Sequence, residues 1–229
     1  MQRRFLPSRD GFAFVNTWPS QPAWEHKTWV GRVTVGDAAA GLCGGMVYAA
    51  LDYWQSGTPL PPEQPKAGHP LYRFIVRRLV RSWFPLAGVR YYRWMRLPDS
   101  DTSRILLGRS VRDRRGLAWR TVEQQWQGVY KDLDRGNPVP LGVVTMASVD
   151  PRNVRHNHQV LACSYERADG RVTIQVYDPN RGRRDDIFIR FDASDATRPT
   201  TFEHNLGIGQ RPVRGFFRAT YKPARIPVA

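Results

Sequence analysis

Three residues of this chain stand in surroundings suited to chemistry: Cys43, His158 and Asp178. Cys43 lies in Gly41-Leu42-Cys43-Gly44-Gly45-Met46-Val47-Tyr48, where a glycine-bearing loop runs into a helical pattern. A helix N-terminus presents N–H groups without intrahelical partners and the positive end of the helix dipole. Both stabilise a thiolate and lower the thiol pKa. The same N–H groups can face a developing oxyanion. Gly44 and Gly45 lack side chains that would keep a substrate off the backbone, which makes them candidate substrate-binding positions. The plainer account is that Cys43 is a small buried hydrophobe and the glycines are packing choices.

His158 opens the strand-like run Asn157-His158-Gln159-Val160-Leu161-Ala162, and Asp178 closes another in Tyr177-Asp178-Pro179-Asn180. Between them Arg167-Ala168-Asp169-Gly170 carries a hairpin turn signal. In a hairpin, opposed positions add to a constant, and pairing 158 with 178 centres the turn on position 168. The two residues are therefore expected as cross-strand neighbours, about 4.5–5.5 Å apart at Cβ. A carboxylate there would hold the imidazole in the tautomer needed for base catalysis. Singly, a strand-start histidine is usually structural, and Asp-Pro-Asn is common turn chemistry. Together, in the order Cys, His, Asp, they form a thiol nucleophile, its base and the orienting group.

The Gly-Leu-Cys-Gly-Gly-Met start, the Asn-His-Gln-Val-Leu-Ala strand and the Tyr-Asp-Pro-Asn end resemble the papain-like cysteine peptidases. The nearest branch is the bacterial group similar to bacteriocin-leader (double-glycine) peptidases. The resemblance covers about residues 16–178, and Gly136-Asn137-Pro138-Val139-Pro140-Leu141-Gly142 fits the strand entry before the histidine. It implies Cys43 as nucleophile, His158 as base and Asp178 as orienting residue. It also implies a cysteine-bearing helix packed on an antiparallel sheet that carries the other two. The family usually has a glutamine a few residues before the cysteine, whose amide helps form the oxyanion hole. Here that stretch is Gly36-Asp37-Ala38-Ala39-Ala40, and Gln21 is too distant to match. Asn16 is the candidate oxyanion donor if its loop folds back. The implied activity is that of a thiol hydrolase, a cysteine peptidase or amidase that forms an acyl-enzyme from a peptide, amide or ester substrate. No cofactor or metal is implied. The alternatives are an acyltransferase, an inactive member, or a binding module whose arginine-rich surface engages an anionic partner.

The elements that must position these residues follow from periodicity. Apolar residues at helical spacing and the stop Gly57-Thr58-Pro59 predict a helix over 42–55. A basic amphipathic helix follows a Pro/Gly-rich loop, from Pro70 to about Trp83. Its apolar face is expected to pack on the core, although its arginines would also suit an anionic lipid or nucleic acid. Residues 119–133 read as a third helix. Strands are expected at 139–146, 159–165, 172–177, 187–191 and 215–221. Residues 1–36 read as irregular, with Trp18, Trp24 and Trp29 as anchors, and 85–116 are ambiguous. The fold class is α+β in one domain: 1–36 irregular, 37–135 mainly helical, 136–229 mainly β.

Composition excludes several classes. Hydrophobic residues are 41% of the 229-residue chain, too many for wholesale disorder. Two cysteines are too few for a disulfide scaffold or a cysteine-built zinc site. His156 and His158 could share a metal at i, i+2, but no suitably spaced carboxylate or cysteine joins them. Cys163, of opposite parity to His158, belongs on the other strand face as a core residue. No apolar stretch is long enough to span a membrane, and no apolar core follows the basic N-terminus. The default compartment is the cytoplasm. The net charge of +15 comes from 35 Lys+Arg against 20 Asp+Glu, and only Lys27, Lys66, Lys131 and Lys222 are lysines. Spread over many segments without a recognition motif, this charge favours anionic ligands in general rather than nucleic acid.

Overall fold

A computed structural model describes residues 3–18, 22–28, 31–37, 42–83, 87–107, 109–198 and 200–227, with 22–28 and 31–37 described as backbone. The chain is mixed α+β. In order, it runs α1 (Pro7–Asp10), β1 (Pro22–Thr28), β2 (Gly31–Asp37), α2 (Cys43–Ser56), α3 (Pro70–Trp83), α4 (Ala87–Met95), β3 (Thr102–Leu106) and β4 (Arg109–Arg114). A helical stretch follows: α5 (Leu117–Trp119), a π-helical segment (Arg120–Trp126) and α6 (Gln127–Asp134). The second half holds β5 (Val139–Val144), a 3₁₀ turn (Pro151–His156), β6 (His158–Ala168), β7 (Arg171–Tyr177), β8 (Phe188–Asp192), β9 (Phe202–His204) and β10 (Gly215–Arg218).

The expected helices at 42–55 and 70–83 are present to within a residue. Helix α2 ends where Gly57 takes a left-handed conformation (φ 72°) and donates its N–H to the carbonyls of Trp54 and Tyr53. Two regions are corrected. Within 1–36, read as irregular, β1 and β2 pair as an antiparallel hairpin. In the ambiguous 85–116 stretch, α4 is followed by the hairpin β3–β4. The side chains of Trp24 and Trp29 lie outside the described ones, whereas Trp18 is buried and packs edge-on against Tyr72.

The central sheet is six-stranded and antiparallel, in the order β10-β5-β6-β7-β8-β9. Alternation along its strands divides the core. Leu161 and Tyr177 point to one face and join Leu42, Met46 and Tyr48 of the α2 region and Leu71 and Ile75 of α3. Val160, Ala162, Val172, Ile174 and Val176 point to the other face, where Val122, Trp126 and Val129 cover them. A third cluster joins Tyr91, Trp94 and Met95 of α4 to Phe217 of β10. Each sheet face is thus shielded from water by helices, as a sheet apolar on both faces requires.

The β6–β7 register differs from the expected one. The turn residues are Asp169 and Gly170, both with positive φ (48° and 77°), and Ala168 opposes Arg171. This is the backbone of an Asp-Gly two-residue hairpin, which follows the twist of its strands. Opposed positions near the turn add to 339, as Tyr165 and Ile174 do. An odd constant would place His158 and Asp178, both even-numbered, on opposite faces. Between Ala162 and Ser164 the register shifts, and Ala162 then faces Val176 while Leu161 faces Tyr177. The constant becomes 338, and the extra residue, Cys163, is a β-bulge that restores the common face. His158 and Asp178 are therefore not directly opposed; Asp178 lies just beyond the last pair.

The contact between α2 and α3 depends on Gly45. A Cβ added there would lie 2.2 Å from the Ile75 carbonyl oxygen, on the backbone of α3. Gly45→Ala must push the two helices apart, and the expected loss is about 1–3 kcal/mol of stability. Urea unfolding followed by circular dichroism measures it. An unchanged midpoint would mean that the helices do not pack this closely.

Candidate functional site

The site lies where the start of α2 meets the starting end of β6. Cys43 is the first residue of α2, and the first intrahelical bond runs from the Met46 N–H to the Leu42 carbonyl (2.9 Å). The N–H groups of Cys43, Gly44 and Gly45 thus precede the helical ladder. His158 begins β6 opposite Val143 of β5, and Tyr91 Oη donates to its carbonyl at 2.6 Å. Both anchors fix the backbone from which the imidazole projects.

Asp178 is fully buried, and its carboxylate is compensated on every side. Oδ1 takes the His158 Nε2 contact at 2.8 Å and accepts the Asn180 N–H at 2.8 Å. Oδ2 accepts the Gly207 N–H at 2.7 Å. Burial alone would raise the carboxyl pKa. The His158 charge and hydrogen bond, with the two N–H groups, outweigh it and hold the group below the ordinary carboxylate range. His158 shows the matching shift. Burial would lower it, but the Asp178 charge and hydrogen bond, with the Cys43 thiolate, push it up to about 10. With Nε2 committed to Asp178, Nδ1 remains to face the thiol.

Cys43 as a residue is partly exposed. Burial of its sulfur would raise its pKa. The hydrogen bond and charge of His158 and the N–H of Gln159 overcome that and leave the thiol below its ordinary value. A lowered thiol beside a raised imidazole means that each group favours the charged form of the other. The expected residues Cys43, His158 and Asp178 are therefore brought together, although by a different register.

Asn16, expected as an oxyanion donor, does fold back to the start of α2. Its Oδ1 accepts the Leu42 N–H at 2.7 Å and the Trp18 Nε1–H at 3.1 Å. Its Nδ2 donates to Asn180 Oδ1 at 2.9 Å, and its own N–H donates to the Pro179 carbonyl at 2.9 Å. Asn180 Nδ2 in turn donates to the Gly207 carbonyl at 2.8 Å. This chain of amides ties the cysteine helix to the loop that carries Asp178. The glutamine-free stretch before Cys43 lies partly outside the described residues, at 38–40.

Gly44 and Gly45 are buried. A Cβ on Gly44 would lie 1.7 Å from Gln159 Oε1 and 2.5 Å from Ser82 Oγ. The direction a side chain would take at either glycine is filled by protein. Close packing is the physical reason for glycine at both positions.

Gln159, Asn180 and Gly207 were not singled out in the sequence. Asn180 stands inside the Tyr-Asp-Pro-Asn run, and no sequence pattern marks Gly207. Gln159 is buried with neither side-chain polar atom hydrogen-bonded. Cys163 lies with Leu161 on the α2 side of the sheet, away from the face of Val160 and Ala162, as its parity required. Its Sγ donates to the Leu161 carbonyl at 3.2 Å, and burial pushes its thiol well up. Among the described residues no three of His, Cys, Asp and Glu cluster as metal ligands, and no helix is long and apolar enough to cross a membrane. No family model, curated protein or solved structure matches the chain.

The two cysteines should separate in reactivity. Iodoacetamide is expected to alkylate Cys43 at pH 7 faster than a free thiol of pKa ~8.5 and to leave Cys163 unlabelled. In His158→Ala the burial cost stays and the compensation goes. The midpoint of the rate–pH profile should then move above that of a free thiol. Peptide mapping by mass spectrometry reads both. Equal labelling of the cysteines, or a profile unmoved by His158→Ala, would contradict the pairing.

Proposed function

We propose that this chain is a papain-like thiol hydrolase, a cysteine peptidase or amidase that works through an acyl-enzyme. The observation that carries the reading is His158, bound to the buried Asp178 at 2.8 Å and placed so that it lowers the Cys43 thiol while its own imidazole is raised. The position of Cys43 at a helix start supports it, because a structural cysteine needs no charged partner.

In this reading the Cys43 thiolate attacks the carbonyl carbon of an amide or ester. A C–S bond forms, and the carbonyl electron pair moves to oxygen. The Cys43 N–H stabilises that oxyanion. Asn16 is the second donor proposed, through the Nδ2 hydrogen not given to Asn180. The tetrahedral intermediate collapses, the C–N or C–O bond breaks, and the imidazolium of His158 passes its proton to the leaving group. Neutral His158 then takes a proton from water, which attacks the thioester carbon; the C–S bond breaks, Cys43 leaves as the thiolate beside the imidazolium, and the acid is released. Asp178 keeps the ring oriented and stabilises its charged form in both halves.

A small activated ester tests this. With p-nitrophenyl acetate the native protein is expected to give a burst of nitrophenolate and an acetyl adduct on Cys43 by intact mass. Cys43→Ala should abolish both. Asp178→Asn should slow acylation by about 10²–10⁴, the range for a displaced acid–base group. Release of nitrophenolate by Cys43→Ala at the native rate would remove the proposal.

A further inference from the structure

A cavity of about 660 Å³ opens between α3, the start of α4 and residues 219–225 of the C-terminal segment. Six cationic side chains line it: Arg77, Arg78, Arg81, Arg90, Lys222 and Arg225. No Asp or Glu is among its lining residues. Phe74, Tyr48 and Phe217 lie buried behind these cations.

The charges are unevenly compensated. Arg78 is buried, and its Nε lies 2.7 Å from Asp52 Oδ2, so its charge is matched. Its guanidinium also lies over the Tyr48 and Tyr221 rings. Asp52 further accepts the Tyr221 hydroxyl at 2.6 Å and the Ala224 N–H at 3.0 Å, which pins the C-terminal segment that forms one wall. Arg90 is held without a carboxylate: Nη1 donates to the Arg218 carbonyl at 2.8 Å, and its guanidinium covers the Phe217 ring. Arg77 rests over Phe74. Among the described residues Arg77, Arg81, Arg90, Lys222 and Arg225 make no ion pair. Elsewhere some exposed arginines do, such as Arg152 with Asp150, Arg184 with Asp186 and Arg198 with Asp195.

Five unmatched cations around one concavity repel one another, and the low-dielectric wall behind them concentrates their field. An anion entering there gains what the fold leaves uncompensated. Guanidinium forks match phosphate oxygens in pairs. The volume is that of a small-molecule site rather than an extended strand or membrane face. We propose that this cavity binds a small soluble phosphorylated ligand, its phosphates on Arg77, Arg81, Lys222 and Arg225. The site is separate from Cys43 and independent of the hydrolase reading.

Calorimetric titration of the full chain at about 150 mM salt with ATP and with inorganic tripolyphosphate tests it, beside sedimentation with anionic phosphatidylglycerol vesicles. Saturable one-to-one binding of ATP is expected, with a rise in melting temperature. The double variant Arg81→Glu, Arg225→Glu changes only exposed side chains and should weaken it by about tenfold or more. Arg73→Glu reverses an exposed charge on the same helix outside the cavity and should change it less than about twofold. Tripolyphosphate binding with the same variant pattern is expected too, because the phosphates carry the recognition. No saturable binding of either compound overturns the proposal. So does equal weakening by Arg73→Glu, or vesicle binding without ATP binding.

Discussion

The arrangement around the candidate site depends on one buried charge. Asp178 is fully enclosed, and an isolated carboxylate there would cost several kcal/mol. It persists because three N–H groups from three parts of the chain converge on it: the His158 ring, Asn180 and Gly207. Satisfying that charge fixes where the 205–208 loop lies, how His158 is turned and which of its nitrogens is left for Cys43. Through Asn180 and Asn16 the same constraint reaches the Leu42 N–H at the start of the cysteine helix. The helix and the sheet end are held by one polar network around one anion.

That network works only if the sheet delivers His158 and Asp178 to the same side. The tight Asp169-Gly170 turn alone would not do so, because its register sets the two residues on opposite faces. The bulge at Cys163 corrects the parity by one residue. Its position is consistent with the packing on both faces: Leu161 and Tyr177 go to the α2 side, Val160 and Val176 to the other. A single irregularity thus serves the core and the site together, a role in which bulges recur beside functional residues.

Much of this was legible in the sequence. Helices α2 and α3 showed in the spacing of their apolar residues and in the stop at Gly57. Strands β5 to β8 showed as short β-rich runs with a turn between the middle pair. The association of Cys43, His158 and Asp178 followed from residue type and order. The hairpin β3–β4 was not legible because its Thr102–Leu106 strand buries almost nothing, so no face imposed an alternation. Three-residue β9 is too short to carry a period. The bulge left no pattern of its own, so the expected register was wrong although the predicted contact forms. Gln159 read as an ordinary strand residue. Its carboxamide against Gly44 emerges only when β6 meets α2.

The account stands or falls on the charge state of His158 in the folded protein. A ¹³C- or ¹⁵N-detected titration of its imidazole reads that state directly, assigned by comparison with His158→Ala. The ring is expected to stay protonated through neutrality, with a midpoint near 10, and to titrate lower in Cys43→Ala and in Asp178→Asn. A midpoint at or below the ordinary ~6.5 in the native protein, unmoved by either substitution, would contradict it.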